Sequence, residues 1–296
     1  MNRAETTKVD KVICLASWEP RFLEGVKKDI ESTGAKECFL FFTEEFEGKS
    51  KANIAGLEEY CEKNKVKVIK IALLYQSPLI TRNTIVETLK FSNRSGTILV
   101  DITTMTREIM WLILDALTAI SFCVEYVYWK PQKTGEWTSK NSARPRLVIG
   151  RAGISEYGKP TLVAVTTGFD RSRLDQMVGY FEPEETILFL QDGNQFENHK
   201  NNIQLHEGYG LGGIQAKECA IDSYSDDHGF AIISEVLNPY LKTHNIVIAS
   251  FGPKPSAIAL HEFAKNHPEV ALAYTPALDF NREYSDGIGE GVWGQL

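Results

Sequence analysis

The sequence predicts an α/β fold built from two tandem Rossmann-like three-layer units with mainly parallel sheets, related by internal duplication. Three observations carry that expectation. Short apolar segments alternate with segments of helical spacing along the whole chain. The short segments are apolar throughout, the pattern of strands covered on both faces. The alternation then runs a second time with an offset near 150 residues.

In the first pass, residues 11–17, 37–43, 66–74, 96–102 and 122–129 read as strands. Residues 20–32, 52–64, 81–91 and 106–120 read as the helices between them. In the second pass the strands are 161–167, 185–191, 216–222, 245–251 and 269–276. The helices are 170–182, a short one at 196–202, 227–242 and 255–266. Trp18-Glu19 falls on Phe169-Asp170, and "VDITTMTREIMW" (100–111) falls on "ASFGPKPSAIAL" (249–260). The stretch 143–160, rich in Gly, Pro and Arg, is the expected junction, so the units are placed at 1–150 and 151–296.

Composition limits the function classes. The chain has 296 residues, 43% hydrophobic and 24% charged, with a net charge of −7. An acidic balance argues against general coating of nucleic acid, which needs a basic surface to neutralise phosphates. It leaves room for a small anionic ligand in a local basic pocket. The five cysteines form no CxxC pair, and four of them (14, 38, 123, 219) lie in or beside apolar runs. They are expected as reduced core thiols in a cytoplasmic protein. The polar start shows no signal peptide, and no stretch of about 18 apolar residues suggests a membrane span. No metal spacing and no cofactor motif is present.

In an open parallel sheet, ligands bind beyond the carboxyl ends of the strands, where helix N-termini attract anions. Four such turns stand out. Ser17-Trp18-Glu19-Pro20-Arg21 follows the first strand; it combines a capping serine with an aromatic surface suited to stacking a base. Phe169-Asp170 repeats the aromatic–acid pair in the second half. Asp101-Ile102-Thr103-Thr104-Met105-Thr106-Arg107 carries three hydroxyls, where helix capping needs one; Asp101, Thr103, Thr104, Thr106 and Arg107 are therefore candidate ligand contacts. Gly252, Lys254 and Ser256 sit in a proline-stiffened loop that opens a helix, a candidate phosphate or carboxylate grip without Walker A spacing. The last turn, residues 281–291 with Arg282 and Tyr284, reads either as a disordered tail or as a lid. Its counterpart is the aromatic, basic stretch 129–137. The glycines at 208–213 are expected in a flexible loop.

No established catalytic set appears. Glu19 and Asp170 are candidate carboxylates, one per half, and His228 is a candidate base at a strand-to-helix turn, where capping is the alternative role.

The segment "VDITTMTRE" resembles the strand-four motif of the CARF family of Rossmannoid nucleotide sensors, and the duplicated layout is similar to SAVED domains. Met105 stands where that family usually has glycine. The resemblance implies that Ser17, Trp18, Thr103, Thr104 and Arg107 contact a cyclic oligonucleotide. It also implies a sensor or regulatory subunit in anti-phage defence that signals to a separate effector protein. Two other functions are open at this point. One is a nucleotide-processing enzyme of glycosidase or transferase type; the other is a structural subunit of a larger complex, or a homo-oligomer.

Overall fold

The computed structural model describes residues 9–90, 96–120, 123–135, 139–192, 199–281 and 283–296. In chain order the elements are β1 (Val9–Leu15), α1 (Pro20–Thr33), β2 (Glu37–Thr43), α2 (Glu47–Lys63), β3 (Lys67–Leu73), α3 (Pro78–Lys90), β4 (Thr97–Asp101), α4 (Arg107–Ala119) and β5 (Cys123–Thr134). There follow β6 (Ser139–Ser142), β7 (Arg146–Leu147), β8 (Thr161–Thr166), α5 (Arg171–Phe181), β9 (Glu185–Gln191), α6 (His199–His206), β10 (Gly210–Leu211), β11 (Ile214–Gln215) and β12 (Lys217–Ile221). The chain ends with α7 (Phe230–Leu237), β13 (Asn245–Ser250), α8 (Lys254–Asn266), β14 (Ala271–Tyr274), β15 (Ala277–Phe280) and β16 (Ser285–Gln295). Of the short helix expected at 196–202, residues 196–198 lie outside the described residues.

Two six-stranded sheets carry the fold. One runs β3-β2-β1-β4-β5-β16, the other β12-β9-β8-β13-β14-β7. In each sheet the first five strands are parallel and the last is antiparallel. The repeat expected from the sequence is therefore a repeat of topology, strand for strand. In the first unit α1 packs with α2 and α3 with α4. A crossover of constant hand places the two pairs on opposite faces of the sheet, because the winding reverses between β1 and β4.

Local sequence explains the helix ends. Pro20 stands at the start of α1, and Gly34, at φ 68°, closes it in the left-handed conformation. Helix α4 is buried over most of its circumference, from Glu108 to Leu114 and again at Ala116 and Leu117. A helix apolar on nearly all sides belongs inside a layer. Against the first sheet, Val12, Cys14, Cys38, Leu40 and Leu99 meet Phe22, Val26, Ile54, Leu57 and Cys61 from α1 and α2. The second unit repeats this with Val163, Val165, Leu188 and Ala249 against Leu174, Met177 and Val178.

Three expectations change. The chain divides not at 150 but into Met1–Glu136 with Arg282–Leu296, and Trp137–Asn281. The physical reason is strand pairing: β6 and β7 join β15 and β14, while the tail joins β5. The tail is neither disordered nor a lid over 285–295, but the antiparallel edge strand β16; Arg282 lies outside the described residues. The glycine-rich stretch forms the hairpin β10–β11, whose central Gly212 and Gly213 have φ of 62° and 86°. Two consecutive positive φ values define the tight turn that suits the strand twist.

Cys14, Cys38 and Cys61 are buried together, and Cys14 and Cys38 sulfurs lie 3.8 Å apart. Cys123 is exposed and Cys219 half-buried, so two of the four expected core thiols are in fact accessible. Both lie in strands, Cys123 at the first residue of β5. Among the described residues, no helix is long and apolar enough to cross a membrane.

Trp111 is completely buried. Trp111→Ala is expected to lower unfolding free energy by about 3–5 kcal/mol, read as a lower urea midpoint with an unchanged slope.

Candidate functional site

The winding reverses between β1 and β4 in the first unit and between β8 and β13 in the second. The carboxyl ends of these strands hold most of the sequence candidates.

In the first unit, the turn after β1 is fixed from several sides. The Glu19 N–H donates to Ser17 Oγ at 3.2 Å. Asn53, on α2, donates its amide to the carbonyls of Ser17 (2.8 Å) and Glu19 (3.1 Å). Glu19 occupies the N-cap position of α1, but its side chain does not cap the helix. It turns to the buried Arg21, with 2.6 Å between Oε2 and Nη2, and also accepts the Ser285 hydroxyl. Arg21 Nη1 donates to the Trp129 carbonyl at 2.9 Å. Burial opposes the Arg21 charge, but Glu19 and Tyr128 outweigh it and hold the guanidinium protonated. Trp18 meets Phe46 edge to face at 5.7 Å, and the Lys49 ammonium lies 5.4 Å from both rings.

The hydroxyls after β4 divide their work. Thr103 accepts from the Trp129 N–H at 2.9 Å, and its own N–H donates to Asp101 at 2.8 Å. Thr104 donates to the Leu15 carbonyl at 3.0 Å and so ties β4 to the end of β1. Thr106 caps α4 by accepting from Ile109, and Arg107 begins that helix, half-buried. The surplus of hydroxyls over capping is thus partly spent on stitching the sheet ends.

The second unit repeats the plan with other residues. Asn202 on α6 plays the part of Asn53: its amide donates to the Gly168 carbonyl at 2.8 Å, and its oxygen accepts from Thr167 Oγ1 at 2.8 Å. Phe251 and Gly252 N–H groups both donate to the Thr166 carbonyl, at 2.8 and 3.0 Å. Gly168 is required here, because a Cβ would run into the Phe251 carbonyl oxygen. Phe169 is half-buried beside it. Asp170 caps α5 by accepting from the Arg173 N–H at 3.1 Å, and lies 3.4 Å from Arg173 Nε. Each candidate carboxylate, Glu19 and Asp170, is therefore already matched to a buried arginine.

Helix α8 begins differently. Its N-cap, Pro253, offers no side-chain acceptor, and the first turn holds no acid. Lys254 is the first helical residue. Ser256 turns inward, donates to the Pro253 carbonyl (2.8 Å) and lies within hydrogen-bond distance of Thr166 Oγ1 (3.1 Å). Gly252 leaves room for the Gln191 amide: a Cβ there would stand 2.9 Å from Gln191 Nε2. Gln191 is buried; its oxygen accepts from Ser223, and its nitrogen has no hydrogen-bond partner among the described residues. The start of a helix and an unanswered donor thus meet beside one glycine.

His228 lies one strand further on. Its Nδ1 is 3.1 Å from the Ser223 carbonyl, and Asp227, not His228, caps the following helix through Gly229 and Ala231. Asn53, Asn202, Gln191 and His206 were not singled out in the sequence. A lone amide or imidazole on a helix or strand leaves no local pattern, although Asn53 and Asn202 occupy matching helices.

No family model matches the chain, and no curated protein matches it. Among solved structures, a protein described as a fructose-1,6-biphosphate aldolase from Coccidioides immitis is 10% identical over 88% of this chain and 87% of its own, with a TM-score of 0.19. A score that low carries no argument about either fold or function.

His206 and His228 are both buried, and burial lowers the pKa of each below the usual 6.5. The unfolded chain takes up these protons at higher pH than the folded one, so acidification favours unfolding. Their stabilisation is whole above about pH 6.5 and is lost as pH falls below it. Urea midpoints measured from about pH 8 to about pH 5 should fall, and a His206→Gln/His228→Gln variant should show a flatter decline. An equally steep decline in the variant would contradict this.

Proposed function

We propose that the chain binds a nucleotide or another phosphorylated small molecule at the strand ends of its second unit. On this reading it is a sensor or regulatory subunit, with a place in antiviral defence and a separate effector protein as its output. The observation that carries the reading is the start of α8: a helix N-terminus without side-chain cap or acid, opened by Lys254 and approached through Gly252. The helix dipole and an ammonium together favour a dianionic phosphate over a neutral ligand. Gln191 Nε2 adds a donor that such an oxygen, or a water held by it, satisfies. Taken by itself, the first unit presents an aromatic surface at Trp18 and a half-buried guanidinium at Arg107 beside its own strand ends. The pairing of Glu19 with Arg21 and of Asp170 with Arg173 favours binding over turnover, because neither carboxylate is left uncommitted.

A panel of mono-, di-, cyclic and oligonucleotides should contain ligands that raise the melting temperature and are recovered unchanged. At a ligand concentration of about 100 times Kd the stabilisation is about 2.7 kcal/mol. Lys254→Ala should weaken binding roughly tenfold or more, measured by titration of the folded variant. The proposal fails if no member of the panel shifts the melting curve; recovery of a converted ligand would instead mean an enzyme.

A further inference from the structure

Each sheet ends on a strand that its own sequence repeat does not supply. The segment that follows β5 in the sequence, β6–β7, pairs with β15 and β14 of the second unit. The segment that follows β15, namely β16, pairs with β5 of the first. The two pairings are register-equivalent. In the first unit Ser285 faces Thr134, Asp286 faces Lys133, Ile288 faces Pro131, Val292 faces Tyr128 and Trp293 faces Val127. In the second, Ser139 faces Phe280, Lys140 faces Asp279, Ser142 faces Ala277, Arg146 faces Tyr274 and Leu147 faces Ala273. Ser139 and Ser285 stand 146 positions apart, as do Thr134 and Phe280, and the same spacing relates every other pair. Even a one-residue slip recurs, between Ile288 and Gly291 in one ladder and between Ser142 and Arg146 in the other.

The two serines also do equivalent work. Ser285 donates to Glu19 of the Glu19–Arg21 pair, and Ser139 accepts from Arg173 of the Asp170–Arg173 pair at 2.5 Å. Each incoming strand thus locks onto the acid–arginine pair that starts the first helix of its host unit.

Charge explains why the strands are not used locally. Each observed ladder sets a lysine opposite an aspartate: Lys133 with Asp286, and Asp279 with Lys140. Folding each strand back on its own neighbour in the same register would set Lys133 opposite Lys140 and Asp279 opposite Asp286. Opposite charges across a ladder attract and like charges repel, so the pattern selects exchange over two local hairpins.

We infer that the two sequence repeats are reciprocal strand-exchange partners. The open edges of β5 and of β14–β15 are equivalent docking surfaces, and the partner each accepts is the sixth strand of the other repeat. This exchange holds the repeats together without the covalent connection between them. It is the arrangement that two copies of a single-repeat ancestor would have reached by domain swapping, since exchange of identical elements makes a closed pair at low cost.

The loop at Ile154–Gly158 is exposed, with Tyr157 fully so, and accepts a protease recognition sequence between Tyr157 and Gly158. Cutting the folded full-length protein there yields one fragment carrying β1–β7 and another carrying β8–β16. The fragments should co-elute on gel filtration in native buffer and part only in denaturant. Two altered proteins identify the cause. A chain ending at Tyr284 lacks β16 and should give fragments that bind at least a hundredfold more weakly. Lys140→Asp with Asp286→Lys keeps every strand and the net charge but turns both exchanged ladders like-charged and both local hairpins attractive; it should weaken fragment binding roughly tenfold. Because the charge exchange leaves the sequence length intact, it decides the matter if the truncated chain does not fold. Fragments that separate in native buffer, or that hold equally tightly after the charge exchange, overturn the inference.

Discussion

A parallel sheet wound by right-handed crossovers leaves its last strand with an open edge, and an open edge is a row of unanswered hydrogen-bonding groups. The whole organisation of this chain follows from how that edge is covered. In each unit an antiparallel strand from a distant part of the sequence closes it, β16 on β5 and β6–β7 on β15 and β14. The unit boundaries, the position of the C-terminal tail and the fixing of the acid–arginine pairs all depend on this one requirement.

The same constraint shapes the strand ends. Once Glu19 and Asp170 are matched to Arg21 and Arg173, they serve to anchor the first helix of each unit. A buried pair of this kind is costly to break, because removal of one member strands the other charge. The two units differ in what remains. Around β1 and β4 the polar side chains mainly bind one another and the backbone, as Thr103, Thr104 and Asn53 do. Around β13 the Gly252 N–H and the Ser256 hydroxyl are likewise spent within the fold, while the buried Gln191 Nε2 has no hydrogen-bond partner among the described residues; in this the otherwise equivalent turns differ.

Much of the fold was legible in the sequence because it rests on local pattern. Apolar runs such as Thr97–Asp101 announce fully covered strands, and the spacing of Phe22, Val26 and Ile30 announces a helix face. What local pattern does not carry is partnership. The tail Ser285–Gln295 contains four glycines and reads as loose chain, yet Gly291 and Gly294 are small because Trp129 and Tyr126 of β5 occupy the space where side chains would stand. The boundary near 150 was misplaced for the same reason: pairing between residues 139 and 280 is invisible to a reading of neighbours. At the site, the unusual turns were visible, since runs of hydroxyls and prolines depart from ordinary capping. Which of their groups the fold itself consumes was not, because Thr104 meets Leu15 across 89 positions.

The burial of the cysteines has a practical side. Cys14, Cys38 and Cys61 are closed off within the first core; burial raises the Cys14 thiol pKa, and donation to Cys14 and to Cys38, with burial, raises those of Cys38 and Cys61, which suppresses the reactive thiolate. Cys123 in β5 and Cys219 in β12 remain at or near the surface. The native chain therefore carries one addressable sulfur in each unit, so a fluorophore or a spin label can report on either half without any residue being changed.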